Sequence, residues 1–284
     1  FIQESVEESI LEYGNTVLYS TARNEYTITR IKKLIQRSVW ALTKQMAESD
    51  FRPSLYEFNF GSGKIDRIDT CEDENGVYVK VTDYKTGMKA FDITAFYHGL
   101  QIQLPVYLNA ALDVEQKRHK GKEIIPAGIF YYRMQDPIVD KEEDDEVLEG
   151  KILKELRLDG LVNADEIVVE HLQHNLEGTS NYIPVSKTKS GALSKTSKVL
   201  YPDEFLEFLD YTKKLEAKLK GKIADGEVQA EPYEMGGATG CDYCAYRAIC
   251  GFDTRIEGYE YRRLEKYSKE DVLEKIHIAA QEER

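Results

Sequence analysis

The feature that most constrains the fold is a pair of strand-like segments, at positions 63–70 and 77–85, separated by the turn sequence Asp-Glu-Asn-Gly at 73–76. Both segments are rich in β-branched and apolar residues, which favour strands. The Asn-Gly pair tolerates the positive φ angles of a short hairpin turn. The sequence therefore predicts an antiparallel hairpin, and the alternating segment 55–60 predicts a further strand just before it.

The segments after the hairpin predict a return to the same sheet. Positions 93–112 contain no Asp, Glu, Lys or Arg and are interpreted as one buried helix. The apolar run at 127–134 is typical of a central strand. Strand, helix and strand in this order predict a right-handed crossover. The predicted fold class is α/β, with a central mixed β-sheet flanked by helices.

Three more helices are predicted at 26–48, 203–223 and 269–280, where apolar residues recur three or four positions apart. The first of them carries a continuous apolar stripe, formed by Ile28, Ile31, Leu34, Ile35, Val39, Leu42 and Met46. No internal repeat and no linker divides the chain, so we predict a single domain over residues 1–284.

Charge narrows the functional classes. The 38 Lys and Arg residues stand against 51 Asp and Glu residues, and the net charge of −13 argues against a protein that clamps nucleic acid over its whole surface. Six carboxylates at positions 140–146 are interpreted as a solvated loop. Four lysines occupy an acid-free segment that is either a solvated loop or a contact for a polyanion: Lys187, Lys189, Lys195 and Lys198.

The chain begins without Met and without the basic and apolar regions of a signal peptide, so we expect a fragment of a longer protein. No membrane span is expected, because positions 93–112 include polar residues such as Thr94 and Gln101. Three of the four cysteines fall between 241 and 250, which does not suit a secreted disulfide scaffold. A reducing cytoplasm is therefore assumed.

Two aspartates and a lysine are predicted to meet at one edge of the sheet. Side chains alternate along a strand, so Asp83 and Lys85 project from one face and Tyr84 from the other. If the hairpin pairs as predicted, Asp66 reaches the face of Asp83. Two carboxylates suit Mg²⁺, which acidifies a bound water. A nearby ammonium can orient that water and offset the charge that grows on a phosphate.

Each piece also has a simpler interpretation, since an Asp-x-Lys triplet on a strand is usually an exposed edge or a surface ion pair. The combination is more specific: Gly-x-Ile-Asp, a hairpin, Asp-x-Lys seventeen residues after Asp66, then Gln-x-x-x-Tyr. Gln103 and Tyr107 lie on one helical face and can hold Lys85 or the phosphates of a strand. His98 either approaches the metal or is simply hydrogen-bonded.

These motifs resemble the RecB-type branch of the PD-(D/E)XK nucleases. The matching segments are Gly-Lys-Ile-Asp-Arg-Ile-Asp at 63–69, Val-Thr-Asp-Tyr-Lys-Thr-Gly at 81–87 and Gly-Leu-Gln-Ile-Gln-Leu-Pro-Val-Tyr-Leu at 99–108. The tail at 241–253 is similar to the iron-sulfur segment that closes the AddB protein of AddAB helicase-nucleases. By this resemblance the chain is identified as the C-terminal nuclease domain of an AddB protein.

The resemblance implies a restriction-endonuclease-like fold and a Mg²⁺- or Mn²⁺-dependent DNA exonuclease that cuts single strands from unwound duplex ends. It implies a partner, the AddA-type helicase of the complex, and a role in processing double-strand breaks for recombinational repair in the bacterial cytoplasm. The residues it implies are Asp66, Asp83 and Tyr84 for the metal, and Asp66, Asp83, Lys85, Gln103 and Tyr107 for catalysis.

The cysteine segment Cys241-x2-Cys244-x5-Cys250 has the spacing of metal or cluster ligands. The resemblance implies a structural [4Fe-4S] cluster in the intact protein, with a fourth cysteine far upstream. Cys71, predicted in the hairpin turn, is a poor substitute. In this chain the three thiols are expected to be free, packed without metal, or holding zinc incompletely.

One departure from the family bears on function. The family places a metal-binding histidine on a helix before the first aspartate, whereas the five histidines here all follow Asp66. The alternative function is therefore a catalytically inert DNA-binding or scaffolding module of the same complex. A third hypothesis is a cysteine-based redox or zinc module.

Overall fold

The computed structural model describes residues 2–14, 19–61, 63–87 and 90–281. In chain order its elements are α1 (Ile2–Gly14), α2 (Ala22–Ala47), β1 (Arg52–Asn59), β2 (Lys64–Glu72), β3 (Val77–Lys85), α3 (Ile93–Tyr97), α4 (Gln103–Arg118), β4 (Ile124–Arg133), α5 (Asp145–Glu155), β5 (Asp159–Asn163), α6 (Glu166–Leu172), β6 (Val199–Leu200), α7 (Pro202–Ala224), β7 (Tyr233–Met235), β8 (Ala238–Thr239), α8 (Arg247–Cys250), β9 (Arg262–Arg263) and α9 (Lys269–Gln281).

The chain divides into two compact units. The first comprises Phe1–Phe91 and Tyr107–Pro202, and the second comprises Asp92–Val106 and Asp203–Arg284. Helix α4 begins in the second unit and continues in the first. The prediction of a single domain stays a prediction. No helix in the described ranges combines the length and hydrophobicity needed to cross a bilayer.

The first unit contains a six-stranded mixed sheet with the strand order β1-β2-β3-β4-β5-β6. Strands β1, β2 and β3 pair antiparallel, β3 pairs parallel with β4, β4 antiparallel with β5, and β5 parallel with β6. The parallel β3–β4 pair confirms that the chain returns to the same sheet after the hairpin. The predicted α/β class with a mixed sheet and flanking helices is confirmed.

The hairpin between β2 and β3 is confirmed, with its turn closed by a hydrogen bond from the Asp73 N–H to the Gly76 carbonyl at 3.1 Å. The prediction that Cys71 lies in this turn is wrong. Cys71 is on strand β2, where it pairs with Tyr78 and is buried. The turn begins at Asp73 because its carboxylate accepts the Asn75 N–H at 2.8 Å and so defines the tight turn.

Helix α2 forms where the apolar spacing predicts it but starts earlier, after the N-cap Thr21. Its predicted apolar stripe is only partly buried. Ile28 is buried, whereas Ile31 and Val39 are 44% and 40% exposed. The buried positions of this helix are Ile28, Ser38, Ala41 and Gln45. Helical spacing therefore predicted the helix correctly and its packed face less well.

The single helix predicted at 93–112 is wrong, because the chain forms α3 and α4 with a break between them. Gly99 has a φ of 81°, and its N–H donates to the Phe96 carbonyl at 2.8 Å. Glycine adopts this left-handed conformation without the steric cost that other residues have, which suits a helix end. Pro105 lies in the first turn of α4, where its missing N–H leaves no helical hydrogen bond unmade. The lack of charge in this stretch reflects burial rather than helix continuity.

Helices α3, α7 and α9 form the core of the second unit. Phe96 and Phe208 pack with ring centroids 4.2 Å apart, and Tyr97 stacks on Tyr211 at 5.7 Å. The Tyr211 hydroxyl donates to the Tyr97 carbonyl at 3.1 Å. The predicted helices at 203–223 and 269–280 are confirmed as α7 and α9. A small three-stranded sheet, in the order β8-β7-β9, precedes α9 in this unit.

Candidate active site

The β2–β3 hairpin places two carboxylates at the same end of neighbouring strands. Arg67 pairs with Thr82, so the next antiparallel position outward aligns Asp66 with Asp83. The Tyr84 N–H donates to Asp66 Oδ2 at 2.8 Å and holds that carboxylate against strand β3. Asp83 is 3% exposed, whereas Asp66 is half-buried. Both carboxylates therefore lie at the same end of β3, Asp83 on that strand and Asp66 beside it on β2.

Lys85 brings its ammonium to this pair of carboxylates. Its Nζ atom forms an ion pair with Asp83 Oδ2, as the shared strand face of residues two apart allows. The ammonium also lies 5.6 Å from the centroid of the Tyr131 ring. A positive charge is thus held beside a buried carboxylate at the end of strand β3.

Strands β4 and β5 extend the site beyond the predicted residues. Tyr131 pairs in register with Asp83 on one side and Asp159 on the other. Burial, together with the negative charge of Asp83, raises the pKa of Tyr131. The charge of Tyr107 also raises the pKa of Tyr131. The Tyr107 ring packs edge-on against the Phe60 ring, with the two ring centroids 5.5 Å apart. Tyr131 and Asp159 were not predicted as site residues, although the alternation along β4 is a signal for Tyr131.

The remaining predicted residues occupy distinct places. Gln103 is half-buried at the start of α4, one turn before Tyr107. The Tyr84 side chain lies on the opposite face of the sheet, where its hydroxyl accepts from Arg67 Nη1 at 3.1 Å. A metal contact by Tyr84 would therefore use its main-chain oxygen. His98 Nε2 lies 2.8 Å from the Glu265 carbonyl oxygen, which matches the simpler of its two interpretations.

A buried ionic cluster lies on the sheet face opposite the carboxylate pair. Arg67 donates from Nε and Nη2 to the two Asp69 oxygens at 2.7 and 2.8 Å, and Lys80 Nζ lies 2.7 Å from Asp69 Oδ2. None of the three side chains is more than 5% exposed. Burial opposes ionisation of Asp69, but the charges of Lys80 and Arg67 hold its pKa below the ordinary value. The cluster therefore links β2 to β3 on the sheet face opposite the carboxylate pair.

The cysteine segment does not form a ready ligand set. Cys241 is half-buried and Cys244 and Cys250 are exposed, and all three are free thiols. Within the described part of the chain, they belong to no group of three or more ligand atoms lying within 4.8 Å of one another. A [4Fe-4S] cluster takes four thiolates, so the arrangement of this segment does not fit a cluster.

The fold and the carboxylate–lysine geometry agree with one family. A family model described as the PD-(D/E)XK nuclease superfamily matches residues 2–251. The chain belongs to this superfamily, and its six-stranded mixed sheet is the restriction-endonuclease-like core.

Among curated proteins, the chain is similar to bacterial proteins named as the B component of an ATP-dependent helicase/deoxyribonuclease. It is 37% identical over 287 residues to that of Lachnoclostridium phytofermentans, covering 95% of this chain and 25% of the relative. It is 34% identical over 297 residues to that of Alkaliphilus oremlandii, covering 97% and 26%. For Caldanaerobacter subterraneus subsp. tengcongensis the identity is 36% over 291 residues, covering 94% and 25%. The chain thus spans about a quarter of the length of these relatives.

Proposed function

We propose that this chain is a divalent-metal-dependent deoxyribonuclease domain that hydrolyses phosphodiester bonds in single-stranded DNA. The observation that carries the proposal is the placement of Asp66 and Asp83 on neighbouring strands with the Lys85 ammonium on Asp83. The similarity to proteins named for a helicase/deoxyribonuclease supports DNA as the substrate.

The donor set fits the metal that the superfamily implies. Asp66 and Asp83 offer carboxylate oxygens, the ligands that Mg²⁺ and Mn²⁺ prefer, and the main-chain oxygen of Tyr84 is the third proposed ligand. The Asp83 carboxylate is buried and already carries the Lys85 ammonium, so a metal would share this carboxylate with Lys85. When bound, Mg²⁺ lowers the pKa of a coordinated water and offsets the charge of the scissile phosphate.

The protein's own groups orient the reactants. The Tyr84 N–H fixes the direction of the Asp66 carboxylate, which spares a reorganisation step during the reaction. The Lys85 ammonium, held by Asp83 and over the Tyr131 ring, orients the attacking water and stabilises charge on the non-bridging phosphate oxygens. Tyr107 is proposed to hold the bound strand or Lys85, and Gln103, one turn before it on α4, stays a predicted catalytic residue.

The wider role is proposed from the relatives. The domain would act with an AddA-type helicase partner that feeds it single strands from unwound duplex ends, in double-strand break processing in the bacterial cytoplasm. A [4Fe-4S] cluster in the intact protein would need a fourth ligand from outside the cysteine segment, and no catalytic step is derived from it.

Strand selectivity tests the substrate assignment. We expect the purified protein to degrade end-labelled single-stranded DNA in Mg²⁺ or Mn²⁺ and to leave a blunt duplex of the same sequence essentially intact. The reason is that the site acts on a strand already separated by a helicase. Gel analysis of labelled products gives the readout. Binding of the single strand with no cleavage in any divalent ion would instead support the inert DNA-binding module.

A further inference from the structure

A second group of ligand-type side chains lies on the sheet face opposite the carboxylate pair. Asp50, Cys71 and His171 place a carboxylate oxygen, a thiol sulfur and an imidazole nitrogen all within 4.8 Å of one another. Cys71 pairs with Tyr78 on β3, and strand alternation puts Tyr78 on the face opposite Asp83. This group is therefore separate from the nuclease site.

Hydrogen bonds to main-chain carbonyls fix the segments that carry the group. The Asp50 N–H donates to the His171 carbonyl at 2.9 Å, and the Ser49 hydroxyl donates to the same carbonyl at 2.8 Å. The His174 N–H donates to the Glu48 carbonyl at 2.9 Å. The turn after α2 and the end of α6 are thus fixed to each other, so the side chains they carry are already arranged for binding.

The orientation of His171 is the one that metal-binding histidines show. Its Nδ1 atom faces Asp50 Oδ2 at 2.8 Å, and its Nε2 atom lies 3.2 Å from Asp73 Oδ2. Asp73 is held in turn by the Tyr78 hydroxyl at 3.1 Å and the Asn75 N–H at 2.8 Å. A histidine ligand usually donates its second ring N–H to a carboxylate, which fixes the ring and strengthens its bond to the metal. Asp73 occupies that place, which leaves Nδ1 as the metal-facing atom.

The chemistry of the donors selects the metal. Thiolate, imidazole and carboxylate together suit a divalent ion such as Zn²⁺, whereas Mg²⁺ takes oxygen ligands. We propose that Asp50, Cys71 and His171 bind a zinc-type divalent metal, with Asp73 positioning His171. His174 brings a further nitrogen donor to Asp50, since its Nε2 atom lies 2.9 Å from Asp50 Oδ1.

The site has a route to solvent and a structural role. A cavity of about 780 Å³, lined in part by His171 and Asp73, opens beside it. Asp50 follows α2, Cys71 is on β2 and His171 is on α6, so a bound metal would cross-link three elements that are distant in sequence. Such a site stabilises the non-catalytic side of the sheet and takes no part in phosphodiester hydrolysis.

Cobalt absorption tests the proposal directly. A reference protein carrying Cys241→Ser, Cys244→Ser and Cys250→Ser keeps Cys71 as its one thiol, because the chain has four cysteines. A thiolate, not a thiol, coordinates a metal, so a cobalt–thiolate band in this protein reports Cys71 as a ligand. We expect the demetallated reference protein to bind a single equivalent of Co²⁺ with a thiolate-to-cobalt charge-transfer band.

Two variants extend the test. Asp73→Asn in the reference protein is expected to keep the band but to weaken Co²⁺ binding about 10–100-fold, since it acts through His171. His277→Gln, a histidine paired with Glu207 outside the site, is the matched control and should bind like the reference protein. In the reference protein itself, Zn²⁺ should slow the alkylation of Cys71. Absence of the cobalt–thiolate band in a folded reference protein, or alkylation unaffected by Zn²⁺, would overturn the proposal.

Discussion

Replacing Lys85 with alanine is expected to lower the rate of single-strand cleavage about 10²–10³-fold, the cost of removing one preorganised charge from a developing anion. The ammonium lies on Asp83 and over the Tyr131 ring, so it is held before substrate binds. Rates should be measured under single-turnover conditions with saturating Mg²⁺, and strand binding should be measured separately. We expect the loss in the chemical step rather than in affinity.

The matched control for this variant is Lys122→Ala. Lys122 pairs with Glu72 at the surface, and its side chain is 45% exposed. We expect Lys122→Ala to cleave at the wild-type rate. Circular dichroism should show that both variants are folded. Equal rates for Lys85→Ala and wild type would show that Lys85 has no catalytic role.

Asp69→Asn is expected to lower the free energy of unfolding by about 3–5 kcal/mol, the usual cost of removing one partner from a buried ionic cluster. The substitution leaves Arg67 and Lys80 as two buried cations without their shared carboxylate. Arg67 also donates to the Tyr84 hydroxyl, and the Tyr84 N–H donates to Asp66. The substitution is therefore expected to disturb strand β3 where it contacts Asp66. Urea unfolding followed by circular dichroism gives the change.

Glu72→Gln on the same strand provides the comparison. Glu72 forms an exposed ion pair with Lys122, and exposed pairs contribute little to stability. We expect this variant to unfold at the wild-type urea concentration. If Asp69→Asn changed stability as little as Glu72→Gln, the buried cluster would not stabilise the sheet.

Local sequence patterns predicted the part of the fold that depends on local properties. The Asn-Gly turn and the alternation around it specify the β2–β3 hairpin, because turn geometry fixes strand register. Strands β5 and β6 were not predicted, because five and two residues are too short to show a period and Gly160 interrupts the first. The break at Gly99 was missed because an uncharged segment indicates burial but not helix continuity.

The carboxylate pair was accessible to sequence reasoning because both aspartates belong to one hairpin. Alternation indicates the face of Tyr131, but its place beside Asp83, and that of Asp159 beside Tyr131, depend on which strands become neighbours. The Arg67–Asp69–Lys80 cluster follows from alternation only in part. Alternation puts the charged groups on one face, but burial of that face depends on tertiary packing.

The most direct test of the central claim is the Mg²⁺ dependence of single-strand cleavage, measured in parallel for wild type and Asp83→Asn. If Asp66, Asp83 and Lys85 form one metal-dependent site, wild-type cleavage rises to saturation with Mg²⁺ and stops in chelator. Asp83→Asn, folded and able to bind DNA, then shows no saturable activity. Cleavage by Asp83→Asn at the wild-type rate, or wild-type cleavage that persists in chelator, would contradict the account.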